Sequence, residues 1–110
     1  MSYVDNKLKL RDMLDRDKCV HCENNDSALV LFEELRDKLF SINVEAAPSK
    51  PLSGRQISVA KSAIQAVRDM NYVRAVNYTY DFVQNFQSNE HTVTDAEYTV
   101  LSMIVTAVLG

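Results

Sequence analysis

Apolar residues recur at three- and four-residue steps through the segment 51–87, which is the spacing of one face of an α-helix. The first series consists of Ile57, Ala60, Ile64 and Val67. The second series, which follows Met70 and Asn71, consists of Tyr72, Ala75, Val76, Thr79, Val83 and Phe86. The pattern predicts a hairpin of two helices, over 54–70 and 72–87, joined by a tight corner, with one bent helix as the alternative.

Two short motifs indicate where helices begin. Ser53 with Gln56, and Thr94 with Glu97, have the spacing of a capping box, in which two side chains bind the free backbone N–H groups of a first helical turn. Apolar residues on either side of each box are placed to form a hydrophobic staple: Leu52 with Ile57, and Val93 with Tyr98. The second box predicts a last helix over 95–109.

This last segment is apolar on nearly every side, a pattern typical of a helix at the centre of a core or an interface. Its threonine, valine and isoleucine residues would also suit a buried strand. The capping box at Thr94 and the lack of an evident partner strand favour a helix, which we expect to run through the middle of the fold.

The first half of the chain carries two more helical patterns. A helix over 27–42 is predicted to bury Ala28, Leu31, Phe32, Leu35 and Leu39, with Leu29 and Phe40 widening that face. It follows three residues that suit a helix N-terminus, namely Asn24, Asn25 and Asp26. A helix over 3–18 has a narrower apolar stripe and is expected on the outside of the fold or against a partner: Val4, Leu8, Leu10, Met13 and Leu14.

The predicted helices belong to one domain. Two prolines in the segment 44–52 disfavour helix there and indicate a loop. A chain of 110 residues can bury one core, and its two glycines and two prolines are few enough to favour long helices. We predict a single all-α domain over 1–110, a compact bundle of four to five helices with a central hairpin and an apolar C-terminal helix.

Charge and targeting signals limit the partners and the cellular location that we expect. The formal net charge of −3 gives no general attraction to nucleic acid or to anionic membranes. The N-terminus lacks the continuous apolar stretch of a secretory signal, and the uncharged run 98–110 is shorter than the roughly 20 residues that span a bilayer. Two neighbouring cysteines fit a reducing compartment. We expect a cytoplasmic protein that does not bind membranes.

The segment 63–84 resembles a single helix pair of the tetratricopeptide-repeat family. Small residues, Ala63 and Ala75, flank a short corner, and aromatic residues follow. That family usually has glycine at the corner, where this chain has Met70 and Asn71, and its repeats stack in several copies whereas one pair is found here. The resemblance implies a helical hairpin and no function.

Cys19 and Cys22 are the residues with the clearest chemical potential. Two thiolates at this spacing form half of a tetrahedral zinc site, and two copies of the chain would supply four. A zinc-bridged dimer is therefore an alternative, although His21 is poorly placed to share the metal and His91 is the only distant strong ligand. The chain lacks the βαβ pattern of a thioredoxin-like site and the histidine of a haem-attachment motif. We expect no cofactor, and two half-buried thiols.

No catalytic motif accompanies these residues. His91 lies near Glu90 and Asp95, but no nucleophile or glycine-rich loop joins them, so we interpret it as a solvated loop residue. The sequence therefore predicts a protein that is not an enzyme.

Aromatic residues concentrate in the second helix of the hairpin and cover more than one of its faces. Tyr78, Tyr80 and Phe82 are the expected exposed set, because exposed aromatics often anchor protein interfaces. Packing of these rings against the linker or the first helix is the alternative.

Four basic residues form a trail along the hairpin: Arg55, Lys61, Arg68 and Arg74. Lys61 and Arg68 are seven residues apart and share a helix face. Such a trail could contact a phosphate backbone, but four cations in an acidic protein are more simply a solvated face, so nucleic-acid binding is an alternative only.

We predict a small, non-catalytic module that binds another protein and self-associates. An adaptor would have these properties, as would an inhibitor of a cellular protein, including a host protein if the chain is phage-encoded. The alternatives are nucleic-acid binding through the basic trail and a zinc-bridged dimer.

Overall fold

The computed structural model describes residues 14, 22–39, 43–44, 51–86 and 92–110. Within these residues the chain forms four helices, α1 (Asn25–Leu39), α2 (Gly54–Arg68), α3 (Tyr72–Gln84) and α4 (Asp95–Leu109). Two short strands, β1 (Asn43–Val44) and β2 (Thr92–Val93), pair in parallel, which the sequence did not predict. The prediction of an all-α helical bundle is confirmed.

The helix bounds agree closely with the sequence pattern. α4 covers 95–109 as predicted, while α2 and α3 end two and three residues before the predicted ends at 70 and 87. The helix predicted over 3–18 lies outside the described residues except at Leu14, where the backbone bends and the side chain is 4% exposed. At Leu14 the prediction of continuous helix is therefore wrong, although its burial matches the apolar pattern.

Each helix packs chiefly against two others, in the cyclic order α1, α3, α2, α4. The α2–α3 hairpin has the most extensive contact, and α1 bridges α3 and α4. α4 therefore lies at one corner of the bundle and does not run through its middle, which corrects the sequence-based expectation.

The inner face of α1 follows its sequence pattern. All five residues assigned to its core face are buried: Ala28, Leu31, Phe32, Leu35 and Leu39. Asn24 caps the helix, since its side-chain oxygen accepts a hydrogen bond from the Ser27 N–H at 2.9 Å.

The buried face of α2 differs from the predicted one. Gln56 and three alanines are buried, whereas Ile57 is 41% exposed and Ile64 and Val67 are half-buried. These alanines are Ala60, Ala63 and Ala66. Small side chains at this contact leave room for α3 to approach closely, with Ala75 buried on the facing helix.

The corner of the hairpin lies at Met70 and Asn71, as predicted. The Asn71 N–H donates to the Ala66 carbonyl at 2.9 Å and the Met70 N–H donates to the Val67 carbonyl at 3.0 Å, which is the hydrogen bonding of a Schellman motif. Met70 has a φ of 58°, the left-handed conformation that this motif requires and that glycine adopts most easily.

Asn25 ties the start of α1 to this corner. Its side-chain NH₂ donates to the Met70 carbonyl at 2.9 Å, and its side-chain oxygen accepts from the Tyr72 N–H at 3.0 Å. One amide side chain thus binds the backbone on both sides of Asn71 and fixes where α1 meets the hairpin.

Candidate functional site

The two capping boxes meet inside the bundle. Within each box, the backbone N–H of the capping residue donates to the side chain three positions on, from Ser53 to Gln56 and from Thr94 to Glu97, both at 3.0 Å. The side-chain NH₂ of Gln56 then donates to the second carboxylate oxygen of Glu97 at 2.7 Å. A continuous chain of hydrogen bonds therefore joins the N-termini of α2 and α4.

Gln56 and Glu97 are both fully buried. The Glu97 carboxylate accepts from the backbone of its own helix and from Gln56, and it lies where the positive ends of two helix dipoles converge. The carboxylate is out of reach of solvent, and its hydrogen bonds hold the N-termini of α2 and α4 together. The sequence showed each capping box but gave no sign that they meet.

The outward side of α4 presents a shallow, mostly uncharged surface. It consists of Tyr98, Thr99, Ser102, Met103, Thr106 and Ala107, which we call the α4 outer face. All six are uncharged, and Met103 at its centre is 54% exposed. Among the described residues, none outside α4 lines this shallow depression.

A second depression continues the α4 outer face toward the ends of α1 and α4. Ser102 and Thr106 line both, and Arg36, Leu39 and Leu109 contribute to the second. The Arg36 side chain is about half exposed and approaches the neighbouring Asp37 at 4.0 Å. At the opposite end Asp95 is exposed, and its spacing from Thr99 places it on the same side of the helix. The apolar surface thus has an acidic end and a basic end.

The three aromatic residues expected to be exposed do not share one environment. Tyr78 and Tyr80 are half-buried and pack against the core. Phe82 is fully buried and makes an edge-to-face contact with Phe86, with ring centres 5.4 Å apart. Phe82 therefore belongs to the core, and its assignment to an exposed interface is corrected.

The four basic residues are all exposed, but Arg55 and Lys61 lie on different sides of α2. At 3.6 residues per turn, Arg55 lies about 120° around α2 from Lys61. The Arg55 guanidinium donates to the side-chain oxygen of Asn85 at 3.1 Å, which links the start of α2 to the end of α3. Arg68 and Arg74 lie on either side of the corner, with the exposed Asp69 between them.

The Cys19 half of the C-x-x-C pair lies outside the described residues, as do His21 and His91. Cys22 is a half-buried free thiol whose sulfur contacts the Asn24 carbonyl at 3.7 Å. Burial raises the pKa of this thiol, which disfavours the thiolate form that binds metals. In the described part of the chain, no three histidine, cysteine or acidic side chains are grouped as metal ligands would be.

None of the described helices combines the length and apolarity needed to cross a lipid bilayer. Compared with protein-family models, with curated proteins and with solved structures, the chain shows no significant match.

Proposed function

We propose that this protein is a non-catalytic interaction module and that the α4 outer face is its binding surface. An adaptor, or an inhibitor of a cellular protein, would act in this way. A reducing, cytoplasmic setting is part of the proposal and fits the free thiol of Cys22.

The observation that carries the proposal is the exposure of Met103 at the centre of an uncharged helix face. Burying this face against another protein removes apolar surface from water without desolvating a charge. Methionine adapts its shape to different partners, and Tyr98 at the edge offers a half-buried aromatic ring. Tyr78 and Tyr80 face less solvent, so α4 replaces the aromatic helix as the proposed surface.

Site-specific photo-crosslinking tests this proposal in the full chain. A benzoylphenylalanine at position 103 is expected to form a discrete protein adduct in cells, whereas the same group at position 30 is not. Val30 is the matched control, because it is equally exposed but lies on α1 away from the α4 outer face.

Specificity is tested by a second substitution on the same surface. Ser102→Lys, one residue from the probe, is expected to lower the adduct yield at position 103 several-fold, because it places a charge in an uncharged contact. Equal labelling from positions 103 and 30, or an adduct that ignores Ser102→Lys, would contradict the proposal.

A further inference from the structure

We infer that the partner of the α4 outer face is a second copy of the same chain, bound with the two α4 helices antiparallel. The inference rests on the proposed function, because it names the occupant of the same surface. Its basis is the arrangement of charge at the two ends of that surface.

The acidic end and the basic end are self-complementary. Asp95 lies at the start of α4, and Arg36 lies beside Thr106 and Leu109 near the end of α4. A two-fold axis that crosses α4 near its middle, at Ser102, exchanges these ends. Asp95 of one copy then lies near the partner's Arg36, and the same contact recurs at the other end, as an isologous interface requires.

If the two α4 helices were parallel, Asp95 would not lie near the partner's Arg36. A parallel arrangement would bring the two Asp95 side chains together at one end, where like charges repel. It would also align two helix dipoles in the same direction, whereas antiparallel helices place opposite dipole ends side by side. The present contact of Arg36 with Asp37 is long and exposed, so it competes weakly with a new partner.

The side chains between the two ends suit self-packing. Thr99, Ser102 and Thr106 are small and follow one another at three- and four-residue steps, which allows two helix axes to approach within about 8–10 Å. None carries a charge, so an isologous contact buries no pair of like charges. Met103 from each copy fills the space beside these small residues.

The contact is small, which is typical of weak and reversible complexes. α4 has 15 residues, and at a rise of 1.5 Å per residue it is roughly 22 Å long. Two such faces bury less than the roughly 800 Å² per partner of a standard stable interface. We expect a reversible dimer with a dissociation constant on the order of 10–100 μM.

Sedimentation equilibrium of charge-reversal variants of the full chain tests this geometry. Arg36→Glu and Asp95→Lys are each expected to raise the dissociation constant about tenfold, since each reversal turns two attractive contacts into repulsive ones. The double variant R36E/D95K is expected to return to within about threefold of the wild-type constant, because both contacts are re-formed with opposite polarity.

Matched controls separate these effects from damage to the helices. Asp26→Lys reverses an acid in the first turn of α1, and Arg68→Glu reverses a base in the last turn of α2. Both carry the same unfavourable dipole interaction as the test variants but lie off the α4 outer face, so the dissociation constant should not change.

Two results would overturn the inference. One is a wild-type chain that remains monomeric up to several hundred micromolar, and the other is a dimer that the double variant does not restore. Photo-crosslinking from position 103 then shows whether the dimer inference alone fails or the proposed function fails with it. An adduct with a different protein leaves the proposed function standing, whereas an adduct confined to a single chain, or no adduct, contradicts both.

Discussion

Met70 holds a backbone conformation that its side chain disfavours. The left-handed φ of 58° is required at this position by the Schellman motif that closes α2. For a residue with a Cβ this conformation costs roughly 1–2 kcal/mol, while for glycine it is nearly free. The 67% exposure of Met70 means that little packing depends on its side chain.

Met70→Gly is therefore expected to stabilise the protein. The gain should be about 0.5–1 kcal/mol after the greater entropy of glycine in the unfolded chain is subtracted. Urea unfolding monitored by circular dichroism measures it. Met70→Ala is the control, since alanine keeps the Cβ and should bring no gain. A lower stability for Met70→Gly than for Met70→Ala would contradict this reading of the corner.

Phe82 shows how far residue types alone predict the environment of a side chain. The sequence placed Thr79 and Phe86 on the core face of α3, and both are buried. Phe82 is three residues after Thr79 and four before Phe86, so it lies on the same stripe. The periodicity contained this information, but the clustering of aromatic residues suggested an interface instead.

At the scale of the element, the hydrophobic pattern of α2 predicted the wrong buried face. The sequence favoured Ile57 as a core residue, yet Gln56 is fully buried and Ile57 is 41% exposed. The buried face of α2 lies about one residue from the predicted one, and it includes Gln56, which donates to Glu97, 41 positions along the chain. A local pattern cannot report such a long-range hydrogen bond.

The direction of the hydrogen bond from Gln56 to Glu97 is determined by the other hydrogen bonds of both side chains. The Gln56 oxygen accepts from the Ser53 N–H, so its NH₂ must face Glu97, and one Glu97 oxygen accepts from the Thr94 N–H. Glu97→Gln would therefore bring two NH₂ groups together, and Gln56→Glu would bring two carboxylates together. Each single variant leaves buried polar groups without proper partners.

We expect each single variant to lose about 2 kcal/mol of unfolding free energy. The double variant Q56E/E97Q places a carboxylate opposite an NH₂ again, so it should lie within about 1 kcal/mol of the wild type. Urea unfolding of the four proteins gives the coupling energy. Glu33→Gln, the same change at an exposed site on α1, should alter stability by less than about 0.5 kcal/mol. Additive losses in the double variant would show that the two capping boxes are independent.

At the scale of the whole molecule, the sequence predicted the four described helices better than their arrangement. The periodic segments and both capping boxes were sufficient to locate α2, α3 and α4. The cyclic packing order and the pairing of Asn43–Val44 with Thr92–Val93 depend on contacts between distant segments, which no local pattern specifies.

The position of α4 is the clearest case. Its nearly continuous apolar sequence predicted a central helix or an interface, and the structure buries one side while leaving Thr99, Met103 and Thr106 exposed. A helix at a corner of the bundle needs apolar residues on both sides only if its outer side is also covered. This surplus of apolar surface supports the proposed interaction through the α4 outer face.

An NMR dilution series of the full chain tests this central claim most directly. Between about 500 and 10 μM, a range that spans the expected dissociation constant, we predict amide shift changes clustered at Thr99, Ser102, Met103 and Thr106 and at the end of α1 around Arg36. Met103→Asp should abolish the dependence of these amide shifts on protein concentration. It should leave the amide shifts of the α2–α3 hairpin unchanged. Spectra that do not change with concentration, or changes centred on Lys61 and Arg68 instead, would contradict the account.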